Sequence, residues 1–235
     1  MKKIVLSAVF LFVFCFVVLQ AGLWAGEGRF AGIPYKSATW DAKSINELNG
    51  NTINSTAKVM YKENKMRTEA VTENSIMKKP MHMLGINTLE KIYMINEDQK
   101  TGTMFSAKSK SNPDAHYAQM MKERKNAKYT GDETINGVSC GIYTFVYTTD
   151  TNNQKISENV TEWRNKDGFD MKMIVEAENI KITTINSNLK INPELPDSLF
   201  VPDADIEIKD MDKEGAKLKD SLGSMNNSLK KMLGQ

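Results

Sequence analysis

Residues 142–147 have the sequence Ile-Tyr-Thr-Phe-Val-Tyr, and residues 91–96 have the sequence Lys-Ile-Tyr-Met-Ile-Asn. Both segments are rich in the β-branched and aromatic residues that favour strands. Successive side chains of a strand point to opposite faces, so each segment places apolar side chains on both faces. These two segments therefore predict strands that are covered on both sides.

Residues 170–177 show a different pattern, in which apolar and charged side chains alternate. Met173 and Val175 fall on one side, and Lys172 and Glu176 fall on the other. This alternation is typical of an antiparallel strand with one buried and one wet face.

Short β-branched and aromatic segments recur along the chain and are separated by polar turns, as in an antiparallel meander. The pairs Glu63-Asn64 and Asn136-Gly137, with the loops 96–102, 150–153 and 166–168, indicate hairpins. The predicted strands are 33–40, 53–62, 65–71, 82–87, 91–96, 103–107, 139–149, 158–164, 170–177 and 180–191.

Two helices are predicted. Asn112 caps the first, and Pro113 suits its first turn. The second covers residues 212–233, with apolar residues at alternating steps of four and three. We expect a mainly β (α+β) fold, a curved antiparallel sheet or incomplete β-barrel with one internal helix and a C-terminal helix. Because so few helices cannot cover strands that are apolar on both faces, we expect the sheet to curve around a helix or a ligand.

The composition of the 235-residue chain, with 40% hydrophobic and 26% charged residues, excludes a disordered chain and favours one large domain. Lys2 and Lys3 are the only charged residues before Glu27. A chain cut near residue 25 carries 29 basic and 29 acidic side chains. Nucleic-acid binding needs clustered excess Lys and Arg, so this balance argues against a nucleic-acid partner.

Residues 1–25 are typical of a signal peptide. Lys2 and Lys3 precede an apolar stretch over residues 4–19, and small residues such as Ala25 follow it. The stretch is longer than the usual ~7–15 apolar residues, so a retained anchor is the alternative. We expect export to the periplasm or cell envelope of a bacterium.

Two cysteines exclude a disulfide framework. Cys15 lies in the leader, and the bulky Phe14 before it disfavours lipidation there. Cys140 is then alone in the exported protein, and we interpret it as a small buried hydrophobic residue within a strand.

The signatures of common enzymes are absent from the sequence. His82 and His116 are the only histidines, and neither lies beside a candidate nucleophile or in a metal-binding spacing. The sequence contains no Gly-rich phosphate loop and no Gly-x-Ser-x-Gly turn. We therefore expect no enzymatic activity and no cofactor, and a carboxylate pair for acid–base chemistry is the alternative.

Methionine is unusually frequent, with 15 residues, several of them clustered. Flexible thioethers fill irregular cores, and they also suit surfaces that adapt to varied apolar partners. Core packing and a lipid-binding cavity are both consistent with this. A third hypothesis is a copper(I) site through Met81, His82 and Met83, which would need ligands from a second strand because His82 points away from the two thioethers.

Five segments carry a resemblance to a known family, through their order along the chain. They are 50–71, with Tyr61-Lys-Glu-Asn-Lys-Met-Arg67, then 91–96, then 131–137 with Cys140, then Glu162-Trp-Arg164, and finally Pro196-Asp-Ser-Leu-Phe-Val-Pro202. Over residues 33–205 the chain resembles the outer-membrane lipoprotein-sorting (LolA/LolB-like) superfamily, and within it a branch of uncharacterised function. The resemblance implies an incomplete antiparallel barrel, plugged by helices, with an apolar cavity for acyl chains.

The sequence thus predicts a signal peptide over residues 1–25, a half-barrel domain over 26–210 and an amphipathic tail over 211–235. The predicted function is non-enzymatic binding of a lipid or lipoprotein acyl chain, and the alternative is an interaction module of the envelope. The residues expected to line the cavity are Met60, Met94, Phe105, Tyr143, Phe145, Met171 and Met173. The tail residues expected to contact an envelope protein or membrane surface are Leu218, Leu222, Met225 and Leu229.

Overall fold

The structure, a computed structural model, describes residues 33–74, 79–107, 120–151, 154–215 and 217. Its dominant element is one open sheet of twelve strands. In chain order these are β1 (Ser37–Leu48), β2 (Asn51–Lys62), β3 (Lys65–Asn74), β4 (Met81–Asn87), β5 (Lys91–Asn96), β6 (Thr101–Ser106), β7 (Lys128–Ile135), β8 (Val138–Thr151), β9 (Gln154–Arg164), β10 (Asp170–Ala177), β11 (Ile180–Ile191) and β12 (Glu207–Asp210).

The strand order across the sheet is β12-β6-β5-β4-β3-β2-β1-β11-β10-β9-β8-β7. The two edge strands, β12 and β7, do not pair with each other, so the sheet does not close into a barrel. Neighbouring strands are antiparallel except β12 and β6, which are parallel. The predicted fold class, a mainly β protein built on an open antiparallel sheet with few helices, is confirmed.

Tight turns connect the long hairpins. Asn136 and Gly137 have φ angles of 50° and 78°, and Glu63 and Asn64 have φ angles of 44° and 66°. Two successive residues with positive φ make the turn that matches the right-handed twist of the strands. The hairpins predicted at these two turns are confirmed by the pairing of β2 with β3 and of β7 with β8.

Strands β5, β10 and β11 have the predicted bounds, whereas β1 begins later and runs to Leu48 instead of ending at Trp40. β7 was not predicted from the sequence. Gly131, Asp132 and Glu133 disfavour a strand by propensity, and the pairing with β8 outweighs that local preference.

The described helical segments are short. Residues 120–124 are helical, residues 197–200 form a 3₁₀ turn, and residues 211–215 and 217 are helical. The predicted start of the internal helix at Asn112 lies outside the described residues, as do the tail residues Leu218, Leu222, Met225 and Leu229. Within the described ranges, no helix combines the length and apolar character needed to cross a bilayer.

The two faces of the sheet are distinguished by what packs on them. Residues that pair directly across neighbouring strands share a face. Ala42, Ala57 and Ala70 share one face, and farther along the sheet Phe145 and Met173 lie on the same face. We call this the helix face, because the helical segment 120–124 packs on it. The other is the opposite face.

The opposite face of β5 is covered by the chain's own C-terminal segment. Ile95, which is fully buried there, packs in a cluster with Phe200, Leu199 and Ile208. The Arg67 guanidinium donates a hydrogen bond to the Leu199 carbonyl at 3.1 Å. Both faces of residues 91–96 are thus largely covered, but a returning segment, and not a hollow, explains the apolar residues on this side.

The expectation that both faces of residues 142–147 are covered is wrong at Val146, which is 55% exposed. Phe145 and Tyr147, on the helix face, are buried. Single exposed apolar side chains are common on protein surfaces. β-branched residues such as Val146 are frequent in strands whether or not they are covered.

Cys140 is 1% exposed and lies in a buried cluster with Trp40 and Trp163. Burial raises the pKa of its thiol. The interpretation of Cys140 as a small buried hydrophobic residue in a strand is confirmed.

Candidate functional site

Short side chains cross the centre of the helix face. Ala42 pairs with Ala57, and Ala57 pairs with Ala70, so the three lie side by side on β1, β2 and β3. In the next row, Ser55 and Thr72 are paired, with their hydroxyls 3.1 Å apart. All five residues are buried. Because their side chains are short, this part of the face lies lower than its surroundings, and we call these five residues the floor.

Methionines border the floor on one side. The two rows of the floor continue onto β4, where Thr72 pairs with Met81 and Ala70 pairs with Met83. Met94 on β5 packs against Met83 as well. Met83 is buried, whereas Met81 and Met94 are partly exposed. These three methionines form what we call the methionine end of the helix face.

Bulky side chains border the floor on the other side and are covered by the helical segment 120–124. Met120 packs on a buried cluster contributed by β8, β9, β10 and β11. We call this cluster the packed end. Its residues are Phe145, Tyr147, Val160, Met173, Val175 and Ile182.

Four charged side chains form a buried cluster beside the packed end. Nε of Arg124 donates to both Glu162 carboxylate oxygens at 3.0 and 2.8 Å, and its Nη2 donates to both Asp170 oxygens at 2.8 and 2.9 Å. Nε of Arg164 also donates to Glu162, at 2.8 Å. The Glu162 and Asp170 side chains are 1% and 3% exposed. Two guanidinium groups thus face two carboxyl groups, and Arg124 ties the helical segment to β9 and β10.

Burial and neighbouring charge change the protonation of this region. Burial, followed by the charge of Glu162, raises the pKa of Asp170 to about 8, although Arg124 and Arg164 act in the other direction. At the packed end, the Tyr147 hydroxyl donates a hydrogen bond to Glu158. Burial, followed by the charge of Glu158, raises the pKa of Tyr147.

Among the residues that the structure describes, three buried polar atoms on the helix face have no hydrogen-bond partner. They are Nδ2 of Asn46, Oγ1 of Thr68 and Oδ1 of Asn186. Thr68 is two residues from Ala70 on β3, and Asn186 is paired with Ala42, so both border the floor. The great majority of buried polar atoms in proteins are hydrogen-bonded, which makes these three notable.

The opposite face has a recess of quite different character. Its volume is about 560 Å³, and its lining includes Asp41, Lys43, Lys58, Glu69 and His82. Charges of both signs alternate over its surface. An apolar chain gains little free energy by moving from water onto such a charged lining.

The cavity-lining residues predicted from the sequence do not lie together. Met94 and Phe105 lie on the helix face near the methionine end, Phe145 and Met173 belong to the packed end, and Tyr143 is nearby on β8. Met60 lies on the opposite face, because it pairs with Arg67 and Thr39, and Met171 is buried in the cluster around Trp40.

The floor and the charge cluster were not predicted from the sequence. The alternation of small residues at Ala42 and Ser44, and at Ser55 and Ala57, was visible as a pattern, but small residues did not suggest a site. The Arg124 contacts join residues 38 and 46 positions apart, and nothing local in the sequence indicates such pairs.

The three residues proposed as copper(I) ligands do not converge. Met81 and Met83 lie on the helix face, whereas His82 points to the opposite face, where its Nδ1 lies 2.8 Å from an oxygen of Asp98. In the part of the chain that the structure describes, no group of three or more His, Cys, Asp and Glu residues is arranged to hold a metal ion.

Comparisons with known proteins give a family without an assigned activity. Residues 45–165 match a family described as a domain of unknown function (DUF4412). No curated protein matches the chain.

Among solved structures, the chain is similar to an uncharacterized conserved protein from Thermus thermophilus, with 8% identity, a TM-score of 0.49, and coverage of 77% of this chain and 93% of that one. It is also similar to the lipoprotein LppX of Mycobacterium tuberculosis, with 14% identity, a TM-score of 0.45, and coverage of 76% and 96%. For the MucA/MucB complex of Pseudomonas aeruginosa, the identity is 10%, the TM-score 0.43, and the coverage 81% and 63%. Similarity at this level assigns neither a ligand nor a reaction.

Proposed function

This chain belongs to the DUF4412 family, and we propose that it is a non-enzymatic exported protein that binds a lipid or lipoprotein acyl chain on its helix face. The resemblance of its motifs to the outer-membrane lipoprotein-sorting carriers supports the same class of ligand. The periplasm or cell envelope is the compartment in which we expect it to act, because residues 1–25 have the pattern of a signal peptide.

The observation that carries the proposal is the profile of the helix face. A low floor, made by residues such as Ala42, Ala57 and Ala70, lies between bulky side chains on both sides. A linear apolar chain fits over short side chains between taller ones. Met81 and Met94, which are partly exposed, give such a chain adaptable apolar contacts.

We expect the ligand to lie along the floor and the methionine end. At the packed end, Phe145 and Met173 are already covered by Met120, so the chain's own helix occupies that part of the face. Of the lining residues predicted from the sequence, Met94 and Phe105 are therefore the ones we expect to contact the ligand.

The driving force is sufficient for a carrier. Transferring a chain of about 16 carbons from water yields roughly 12 kcal/mol at ~0.8 kcal/mol per methylene, before the costs of ordering are subtracted. Even a partly enclosed chain then binds usefully, and no catalytic group is needed for the task.

The test is native mass spectrometry of the protein purified from its exported compartment, combined with uptake of a fluorescent fatty acid. We expect a bound lipid mass or saturable uptake. A ligand-free spectrum together with no uptake would exclude the proposal.

Substitutions that fill the floor test whether the ligand binds there. Ala57→Phe places a large ring on the helix face, whereas Thr56→Phe places the same ring on the opposite face of the same strand, where Thr56 is exposed. Excluding about four methylenes by the first change weakens uptake roughly a hundredfold, and the second change leaves it unaltered. If circular dichroism shows that Ala57→Phe does not fold, Met94→Gln tests the same site by placing an amide at the partly exposed methionine end. Full uptake by folded Ala57→Phe, or by Met94→Gln in its place, would show that the floor is not the site.

A further inference from the structure

We propose that strand β7 pairs, edge to edge and antiparallel, with β7 of a second copy of this chain, so that two sheets join into one dimeric sheet. The basis is a bulge in β7 that makes its exposed edge complementary in charge to itself. The inference does not depend on the proposed function, because β7 lies at the end of the sheet far from the methionine end.

The outer edge of β7 is open in the part of the chain that the structure describes. Among the described strands, β7 is the last in the sheet order and pairs with β8 alone. Six of its eight residues are exposed, whereas β12, at the other edge, has four residues in all. The unpaired backbone groups of an edge strand can pair with another chain, and β7 offers the longer edge.

A bulge changes which side chains of β7 share a face. The register with β8 shifts by one residue between Tyr129 and Gly131, so Thr130 is an extra residue in β7. Lys128 and Glu133 are five positions apart, and in a regular strand they would point to different faces. The extra residue brings them to the same face.

The pairing with β8 identifies that face. Lys128 pairs with Thr144, and Glu133 pairs with Cys140. Both partners are an even number of positions from Val146, so Lys128 and Glu133 lie on the opposite face of the sheet.

Two side-chain contacts agree with this arrangement. The Tyr129 hydroxyl donates a hydrogen bond to the Asp132 carboxylate at 2.7 Å, although residues three apart lie on different faces of a regular strand. Glu133 accepts a hydrogen bond from Nε1 of Trp163 at 2.6 Å, and Trp163, which pairs with Ile142, lies on the opposite face as well.

The bulge permits a register in which the charges of two copies match. Residues that lie across from each other on antiparallel strands share a face. A twofold axis between Thr130 and Gly131 brings Lys128 of each copy across from Glu133 of the other, which gives two pairs of opposite charge. A register centred on Asp132 or on Glu133 would instead place two like charges directly across from each other, which is unfavourable.

Sedimentation velocity of the purified protein, from low to high micromolar concentration, measures the association. We expect a monomer that becomes dimeric as concentration rises, because the edge of one strand makes a small interface. Lys128→Glu replaces both pairs of opposite charge by like charges and should weaken dimerisation roughly tenfold or more. Lys190→Glu makes the same change at an exposed residue of β11, and we expect it to leave dimerisation unaltered.

Mixing two variants tests the register. Glu133→Lys alone should also weaken dimerisation, whereas an equimolar mixture of Lys128→Glu and Glu133→Lys restores both pairs of opposite charge and should form a heterodimer. Circular dichroism checks the fold of Glu133→Lys, which loses the hydrogen bond from Trp163. If this variant does not fold, the comparison of Lys128→Glu with Lys190→Glu decides the matter.

Three results would overturn the inference. They are a wild type that stays monomeric throughout, a dimer that Lys128→Glu leaves unchanged, and two folded variants that do not associate when mixed. A monomer would mean that the bulge and Lys128 keep β7 from pairing with other chains, which is the common role of such features on an edge strand. Uptake of fatty acid by the wild type tests acyl-chain binding separately, so each proposal can fail without the other.

Discussion

The two ends of the helix face are both apolar, but one is covered by the chain's own helical segment and the other is partly exposed. At the packed end, Phe145 and Met173 are buried beneath Met120, and Arg124 fastens the helical segment to the sheet. At the methionine end, Met81 and Met94 remain partly exposed. The comparison teaches that an apolar strand face does not by itself identify a binding surface.

What separates the ends is the kind of interaction that surrounds them. Paired charges that are removed from water hold their geometry only if every partner is present. Thioethers on a partly exposed face impose no such requirement, because they are flexible and unpaired. One end is therefore suited to fixing the fold, and the other is suited to accepting a partner that varies in shape.

The largest expected effect comes from breaking the charge cluster. Arg124→Met removes one of two cations that face Glu162 and Asp170, and leaving a buried carboxylate without its partner costs about 3–5 kcal/mol in the free energy of unfolding. Urea denaturation measures this loss. The control is Lys181→Met, which removes an exposed partner of Glu176 and should leave the unfolding free energy nearly unchanged. Similar losses in the two variants would mean that the buried cluster does not anchor the packed end.

A pair of phenylalanines compares the two ends directly. Phe145→Ala leaves a cavity under Met120, with an expected loss of about 3–5 kcal/mol, whereas Phe105 is only partly buried and its replacement by alanine should cost about 2 kcal/mol less. Conversely, we expect Phe105→Ala to weaken acyl-chain uptake more than Phe145→Ala does. Equal destabilisation by the two variants would remove the distinction between the ends.

The sequence predicts much of the sheet, but it does not predict the difference between the two ends of the helix face. Strands such as β5 and β10 were predictable because alternation and β-branched residues are local signals, and Asn136-Gly137 marks its own turn. β7 was missed because its partner strand stabilises residues of low strand propensity. Which face of β8 is covered depends on Met120 and Arg124, and their positions follow from tertiary packing alone.

The charge cluster also makes stability depend on pH. Burial raises the pKa of Asp170 to about 8 in the folded protein, above the value of 3.8 expected when it is unfolded. Between these two values the folded state holds a proton that the unfolded state lacks, so this contribution is largest at low pH and falls as pH rises toward 8.

We therefore expect the difference in unfolding free energy between the wild type and Asp170→Asn to decrease from pH 4 to pH 8, by at most about 1.4 kcal/mol per pH unit. Denaturant melts of both proteins across this range give the slope, and the subtraction cancels groups common to the two. A difference that stays flat over the range would show that Asp170 remains ionised throughout.

The smallest effects are expected at two threonines of β3, Thr68 beside the floor and Thr72 on it, and the sign of each effect is what distinguishes them. Thr68 buries a hydroxyl that has no partner, so Thr68→Val should raise the unfolding free energy of the ligand-free protein by about 1 kcal/mol. Thr72, four residues along the same strand, has a hydroxyl paired with Ser55, and Thr72→Val should lower it by about 1 kcal/mol. Thermal melts of both variants measure these changes. Opposite signs for the same chemical change would show that the Thr68 hydroxyl lowers the stability of the ligand-free protein. A loss at both positions would instead show that the Thr68 hydroxyl is satisfied in the protein alone.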